Sequence, residues 1–286
     1  MRGSPFELMN TSGAPLRGDV YLPEAAGRRP GVVVCHGFKG FKNWGFFPEL
    51  AARLATSGFV TVTFNFSGSG IGPDLQNFTE LDRFASDTTS NQVQDLGCIL
   101  DALESGRIGA NRADLARVAV LGHSRGGAVA LIRAHEDPRV AAVVTWAGVS
   151  TLWRTPEAEI AAWKRRGFMD VLNARTGQLM RMHYGVVEDL ERHRERFDVQ
   201  RVTHALDKPL LIVHGDQDES VPAREAEVLH AAAAGAGARL HLVHGGGHTF
   251  GAVHPWHGTT PALDDAIDTT CAWLHERWPG AQESHT

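Results

Sequence analysis

Val118-Ala119-Val120-Leu121-Gly122-His123-Ser124-Arg125-Gly126-Gly127-Ala128-Val129-Ala130-Leu131-Ile132 is the stretch on which the fold turns. Its first four residues form a short apolar run that reads as a strand buried on both faces, and Ala128–Ile132 opens a helix. Between them stands G-x-S-x-G. A serine on so sharp a strand-to-helix turn is lifted above the sheet edge in a strained backbone conformation. The positions two before and two after it press against its backbone and must carry almost no side chain. Gly122 and Gly126 meet that need. The helix N-terminus behind the turn aims free N–H groups at any oxyanion formed beside Ser124. Ser124 is therefore the candidate nucleophile; the plain alternative is a glycine-rich turn with a surface serine.

Outward from this turn, apolar runs alternate with helical spacing. Upstream, Phe6–Met9 and Asp19–Leu22 read as early strands joined near Ser12-Gly13, and Val32–Cys35 as a strand buried on both faces. A helix over Glu49–Ser57 stops at Gly58, and the strand Phe59–Phe64 follows. A further helix from Ser90 to Glu104 places Val93, Leu96, Ile99, Leu100 and Leu103 on one face. Downstream come the strand Val140–Trp146, the strand Pro209–Val213, a helix over Ala223–Ala234, the strand Leu240–Val243 and a helix over Leu263–Trp278. Such alternation predicts an α/β protein with about eight strands in a mostly parallel sheet and helices on both faces. Residues 150–205 break the pattern, being rich in Trp, Met, Arg and Glu with helical spacing. They read as a helical cap insertion at the carboxyl ends of the strands, where such sheets bind ligands. Residues 1–149 and 206–286 then form the core domain.

Composition narrows the partners. The 286 residues carry a net charge of −5, which makes no electrostatic case for nucleic acid or an anionic membrane. Three cysteines, Cys35, Cys98 and Cys271, lie far apart in apolar stretches and read as buried thiols of a reducing compartment. No apolar run approaches the ~18 residues of a membrane span, so a cytoplasmic protein is expected. The partners implied are a small molecule and, at most, further copies of the chain in a homo-oligomer.

A serine hydroxyl needs a base to take its proton and a carboxylate to orient that base. Candidates for both follow buried strands: His214-Gly215-Asp216-Gln217-Asp218-Glu219-Ser220-Val221-Pro222 and Gly245-Gly246-Gly247-His248-Thr249-Phe250. Both segments fall at the same sheet edge as Ser124. His248 stands out among 15 histidines because three glycines precede it, which suits a loop folding back over the serine. The base must be neutral to act, so the rate should rise with pH through one ionisation near the ordinary histidine value, roughly 6–7. Position alone leaves Asp216 and Asp218 open as the acid. His254 and His257 do not have zinc-type spacing, and no metal is expected.

In these motifs the chain resembles the α/β-hydrolase superfamily, and within it the dienelactone-hydrolase-like and serine-esterase branches. The resemblance runs through His36-Gly37-Phe38, Gly122-His123-Ser124-Arg125-Gly126, His214-Gly215-Asp216-Gln217-Asp218 with Val221-Pro222, and His248-Thr249-Phe250. It implies Asp218 as the acid, three residues after the glycine of its motif, and leaves Asp216 to brace its loop. Dienelactone hydrolases carry cysteine where this chain has Ser124, which points away from dienelactone as substrate.

One oxyanion donor is the N–H of Arg125, the residue after the nucleophile. The other belongs to the loop His36–Gly40, and the resemblance implies Phe38. Ser67-Gly68-Ser69-Gly70-Ile71-Gly72 lacks the spacing of a nucleotide loop and reads as a tight loop beside the site. Lys164-Arg165-Arg166 is either a solvated helix face or a greeting for an acidic substrate. Trp153, Trp163, Phe168, Met169, Met180, Met182 and Tyr184 either line a pocket or pack the insertion down. The expected activity is cofactor-free hydrolysis of small to medium carboxylic esters. Peptidase, thioesterase or C–C bond hydrolase chemistry is the alternative on the same scaffold, and a non-catalytic ligand-binding relative the alternative outside enzymes.

Overall fold

A computed structural model of the chain describes residues 1–174, 176–233 and 237–279. In chain order its elements are β1 (Ser4–Met9), β2 (Pro15–Tyr21), β3 (Arg29–Cys35), α1 (Phe47–Thr56), β4 (Val60–Asn65), α2 (Leu81–Ala85) and α3 (Thr89–Glu104). Next come β5 (Ala113–His123), α4 (Arg125–Glu136), β6 (Val140–Trp146), α5 (Glu157–Arg166), β7 (Phe168–Asn173), β8 (Gln178–His183) and α6 (Gly185–Arg192). The chain continues with α7 (Val199–His204), β9 (Leu210–Gly215), α8 (Arg224–Ala232), β10 (Arg239–Val243) and α9 (Pro261–Arg277). Ala234, where the sequence reading ends the eighth of these helices, lies outside the described residues.

Eight strands form one sheet in the order β1-β2-β4-β3-β5-β6-β9-β10. β2 runs antiparallel to both β1 and β4. All the other neighbours are parallel, as the sequence predicts. The continuous apolar runs have a direct cause. Successive strand residues face opposite sides, and here both sides are covered. Val32, Val34, Ala119 and Leu121 pack with Phe47, Leu50 and Leu54 of α1 and Leu263 and Ile267 of α9. Val33, Cys35, Val118 and Val120 face Val93 and Leu96 of α3, Leu131 of α4 and Leu229 of α8. The central strand β5 therefore delivers residue 124 to a rim fixed by two helical layers.

The segment after β6 differs from the helical expectation in one respect. Besides α5, α6 and α7 it holds the antiparallel hairpin β7–β8, with Met169 opposite Met182 and Val171 opposite Met180. Along β8, Met180 and Met182 are buried while Leu179, Arg181 and His183 are exposed. That is a period of two, but it lasts only six residues between stretches of helical spacing, which hides it. The hairpin and α5 pack on Phe41, Phe78 and Phe84 through Trp163, Met180 and Met182. Lys39 Nζ reaches the Leu172 carbonyl (3.1 Å), and Gln178 Nε2 the Phe78 carbonyl (3.1 Å). In contrast, Val199 and Val202 of α7 join the core beside α4 and α8. No helix among the described residues is long and apolar enough to cross a membrane.

Candidate active site

β5 ends at His123 and α4 begins at Arg125, so Ser124 alone makes the turn, at φ 55° and ψ −122°. A non-glycine residue in that region is strained and persists only where its surroundings over-determine it. Here they do. The Ser124 N–H donates to the Trp146 carbonyl (2.8 Å), and the Gly127 N–H to the Ser124 carbonyl (3.0 Å). A Cβ on residue 122 would lie 2.1 Å from the Gly126 oxygen, and one on residue 126 would lie 2.6 Å from the His36 oxygen. Both glycines that the motif demands are therefore demanded by contact. Gly37 is a third, since its Cβ would sit 2.8 Å from Ser124 Cβ. The serine side chain makes no capping bond to α4, which leaves its hydroxyl free for other work.

The loops after β9 and β10 come together in the same way. A Cβ on Gly215 would meet the Gly246 oxygen at 2.1 Å, so only glycine lets the two loops touch. Asp218 Oδ2 accepts from His248 Nδ1 (2.8 Å), while its Oδ1 accepts from the N–H groups of Ser220 (2.9 Å) and Val221 (2.8 Å). With Nδ1 donating, Nε2 of His248 is left as the basic nitrogen. Burial would raise the Asp218 pKa, but hydrogen bonds from His214, His248 and the Val221 N–H outweigh it and hold the carboxyl well below the usual range. Asp216 turns elsewhere, accepting from the Gly245 N–H (2.7 Å) and meeting His244 Nδ1 (2.9 Å). Of the two aspartates left open by spacing, Asp218 is the one that reaches His248.

Three further histidines brace these loops. His123 Nε2 donates to the His248 carbonyl (2.8 Å), fixing the backbone of the candidate base. His36 Nδ1 donates to the Gly37 carbonyl (2.8 Å), and its Nε2 accepts from the Phe66 N–H (3.2 Å). His214 Nε2 donates to the Val221 carbonyl (2.8 Å). Burial pushes the pKa of His36 down to about 4 and that of His123 down to about 3, so both rings are neutral struts. Sequence reasoning includes all three in its motifs but gives none of them this bracing role. For His36 and His214 the signal is the repeated His-Gly at the end of a buried strand, in 36–37 and again in 214–215, whereas His123 has no such signal.

Ser124 and His248 share two cavities. The larger, about 410 Å³, lies under the insertion and is also lined by Phe38, Arg125, Trp153, Ile160, Trp163, Met169, Met182 and Val221. The smaller, about 160 Å³, is bounded by Gly37, Phe38, Trp44 and Phe47. No hydrogen bond among the described residues occupies the N–H of Phe38 or of Arg125. Nor does one join the Ser124 hydroxyl to His248 in this arrangement; such contacts tighten when substrate binds. The aromatic and methionine residues of the insertion divide between the two expected uses. Trp153, Trp163, Met169 and Met182 line the cavity, whereas Met180 and Tyr184 belong to the packed cluster behind it. Phe168 lies beneath the Arg181 guanidinium (3.7 Å).

Other candidates fall outside the cavity. Lys164, Arg165 and Arg166 do not line it. His254 accepts from the Gly45 N–H (3.0 Å) and packs on Phe41 and Trp44. The 67–72 loop backs the site from behind: the Ser67 N–H donates to Asp95 (2.8 Å), and Gly70 lies against Phe84, whose ring stacks on Phe38.

Topology and elbow together place the chain among the α/β serine hydrolases, the class its motifs resemble. More narrowly, residues 44–276 match the prolyl oligopeptidase family, and the chain belongs to that family. It is 29% identical over 213 residues to 2,6-dihydropseudooxynicotine hydrolase of Paenarthrobacter nicotinovorans, covering 72% of this chain and 49% of that protein. The chain thus spans about half the length of the curated relatives it matches. Among solved structures, Est1E from Butyrivibrio proteoclasticus with bound ferulic acid superposes with a TM-score of 0.72 at 18% identity, covering 95% of this chain and 98% of that one. A puromycin-hydrolysing peptidase of Mycobacterium tuberculosis gives 0.68 at 20% identity, covering 96% and 40%.

Proposed function

We propose that this chain hydrolyses carboxylic esters of small to medium acyl groups through an acyl-enzyme formed on Ser124. The observation that carries this reading is the buried Asp218 carboxylate holding His248 Nδ1 at 2.8 Å, with Nε2 left free beside the cavity of the strained serine. In this scheme Ser124 Oγ attacks the acyl carbon while His248 takes its proton. His248 then returns that proton to the leaving alkoxide, and Asp218 stabilises the imidazolium between the two steps. The N–H groups of Phe38 and Arg125 receive the tetrahedral oxyanion, a contribution of roughly 3 kcal/mol per donor. Water, activated by the same histidine, releases the acid. No metal or cofactor takes part in these steps. Three unpaired thiols support a cytoplasmic setting. The test is turnover of 4-nitrophenyl esters from acetate to octanoate. Ser124→Ala should abolish it with the fold intact by circular dichroism; activity kept within tenfold would remove Ser124 from the mechanism.

The family match favours a second reading, cleavage of a peptide or amide bond by the same residues. Turnover of aminoacyl anilides above that of esters, measured side by side with acyl-CoA substrates, would put that reading first.

A further inference from the structure

The large cavity reverses the charge of the molecule. The chain carries a net charge of −5, yet the ionised side chains lining this space are Lys39, Arg125 and Arg154, with no aspartate or glutamate among the lining residues described. Two of the three cations are already engaged. Arg154 is paired with Glu225 and donates to the Ser220 carbonyl (3.0 Å), and Lys39 donates to the Leu172 carbonyl (3.1 Å). Arg125 is not engaged in that way. Among the described residues its guanidinium has no ion pair and no hydrogen bond, and it lies over the Phe38 ring, with Cζ 4.3 Å from the ring centre. Stacking satisfies the flat face of a guanidinium and leaves the N–H donors in its plane unused, in the fork that matches a carboxylate. Burial lowers the Arg125 pKa and the charge of buried Asp87 opposes that, but the two groups form no ion pair. A partly desolvated cation with unused donors, one residue from the nucleophile, is a built receptor for an anion.

We propose that the Arg125 guanidinium is the specificity-determining group of this site, and that the substrate acyl chain carries a carboxylate beyond its scissile carbonyl. The rest of that chain lies against Trp153, Ile160, Trp163 and Met182, which accept an apolar body. This rests on the ester-hydrolase reading for its kinetic arm only; the binding arm is independent of it.

In the kinetic arm, kcat/KM is measured for mono-4-nitrophenyl adipate and for its uncharged amide isostere, with Ser124→Ala supplying the background. The native chain should favour the acid at least tenfold. Arg125→Met should bring that ratio close to one, and Arg125→Lys, which keeps the charge without the fork, should give an intermediate ratio. Lys164→Met, outside the cavity, should leave the ratio unchanged. A native ratio near one, or a ratio that survives Arg125→Met, overturns the proposal. In the binding arm, calorimetry with 5-phenylvalerate should show at least tenfold weaker binding to folded Arg125→Met than to the native chain. Arg125→Lys serves in its place should the methionine variant not fold. Equal affinities overturn the proposal whether or not any ester is hydrolysed, whereas a Kd difference without Ser124-dependent turnover keeps the anion site and sinks the esterase reading.

Discussion

The rim of the sheet and the segment between β6 and β9, read from the sequence as an insertion, are built on different principles. At the rim, position is set by backbone touching backbone. Gly122 meets Gly126, Gly126 meets His36 and Cys35, and Gly215 meets Gly246, each at distances where a single methyl would collide. In the insertion, shape is set by side chains. Trp163, Met180 and Met182 fill space between elements, and a Cβ on hairpin residue Gly177 would meet none of the described residues within 4 Å. Backbone contacts of the first kind admit one residue type and leave a signature in the sequence. Side-chain packing of the second kind accepts many solutions and leaves almost none. The candidate nucleophile therefore stands where contact admits one residue type, while the apolar wall of the cavity comes from packing that admits several.

The sharpest way to break this contrast is at the two aspartates of the acid loop. Asp218→Asn should cost roughly 10⁴-fold in kcat by leaving His248 in the wrong tautomer. Asp216→Asn, at a side chain that bonds the Gly245 N–H and His244, should stay within a few-fold. Comparable losses in both would mean that the loop, not the carboxylate at His248, is what matters. Next in size is one substitution made in both regions. Gly126→Ala forces a methyl against two carbonyl oxygens and should cost about 3 kcal/mol in urea unfolding, with most of the activity. Among the described residues Gly177→Ala meets nothing within 4 Å, and it carries the strain of φ +69°, about 1 kcal/mol. Equal costs would erase the distinction between rim and insertion.

These two substitutions also mark what the sequence can and cannot convey. Gly122-x-Ser124-x-Gly126 is legible because contact allows no other residues, and Val140–Trp146 because both faces of that strand are covered. The hairpin is not, since the alternation of Met180-Arg181-Met182-His183 is too short to stand against the helical spacing around it. α2 spans only Leu81–Ala85 and has no sequence signal of its own. Asp218 could not be separated from Asp216 by spacing, because the choice depends on which carboxylate turns inward. That turn is made by Asp218 accepting the Ser220 and Val221 N–H groups, a contact between residues two and three positions apart that any Asp-rich loop could offer.

A smaller effect should come from the cavity wall. Met182→Ala enlarges the space beneath the insertion at about 2 kcal/mol of stability. It should raise the kcat/KM of octanoate over acetate esters by up to ~10-fold. An unchanged chain-length profile would mean that the acyl group does not lie against β8. The smallest concerns Asp87, a buried carboxyl that feels the charge of Arg125. Burial pushes its pKa up to about 7, against the charge of Arg125 and the Gln92 hydrogen bond. Its ionisation is thus easier in the unfolded chain, and it costs stability progressively as pH rises from ~4 to 7. Asp87→Asn should match the native Tm at pH 4 and exceed it by at most a few degrees at pH 7.5. The reverse trend would show Asp87 to be a stabilising, ionised partner. Asp218 has the opposite sign. Its depressed pKa adds stability that is present above ~4 and is lost as pH falls through the lower folded value.

The most direct test asks whether Ser124 is activated by its neighbours. The chain is incubated with a fluorophosphonate and the adduct is located by peptide mass spectrometry. A single adduct on Ser124 is expected, absent in Ser124→Ala and slowed at least a hundredfold in His248→Ala. Labelling at another residue, or labelling of Ser124 at the same rate without His248, would contradict the claim that elbow and histidine form one catalytic unit.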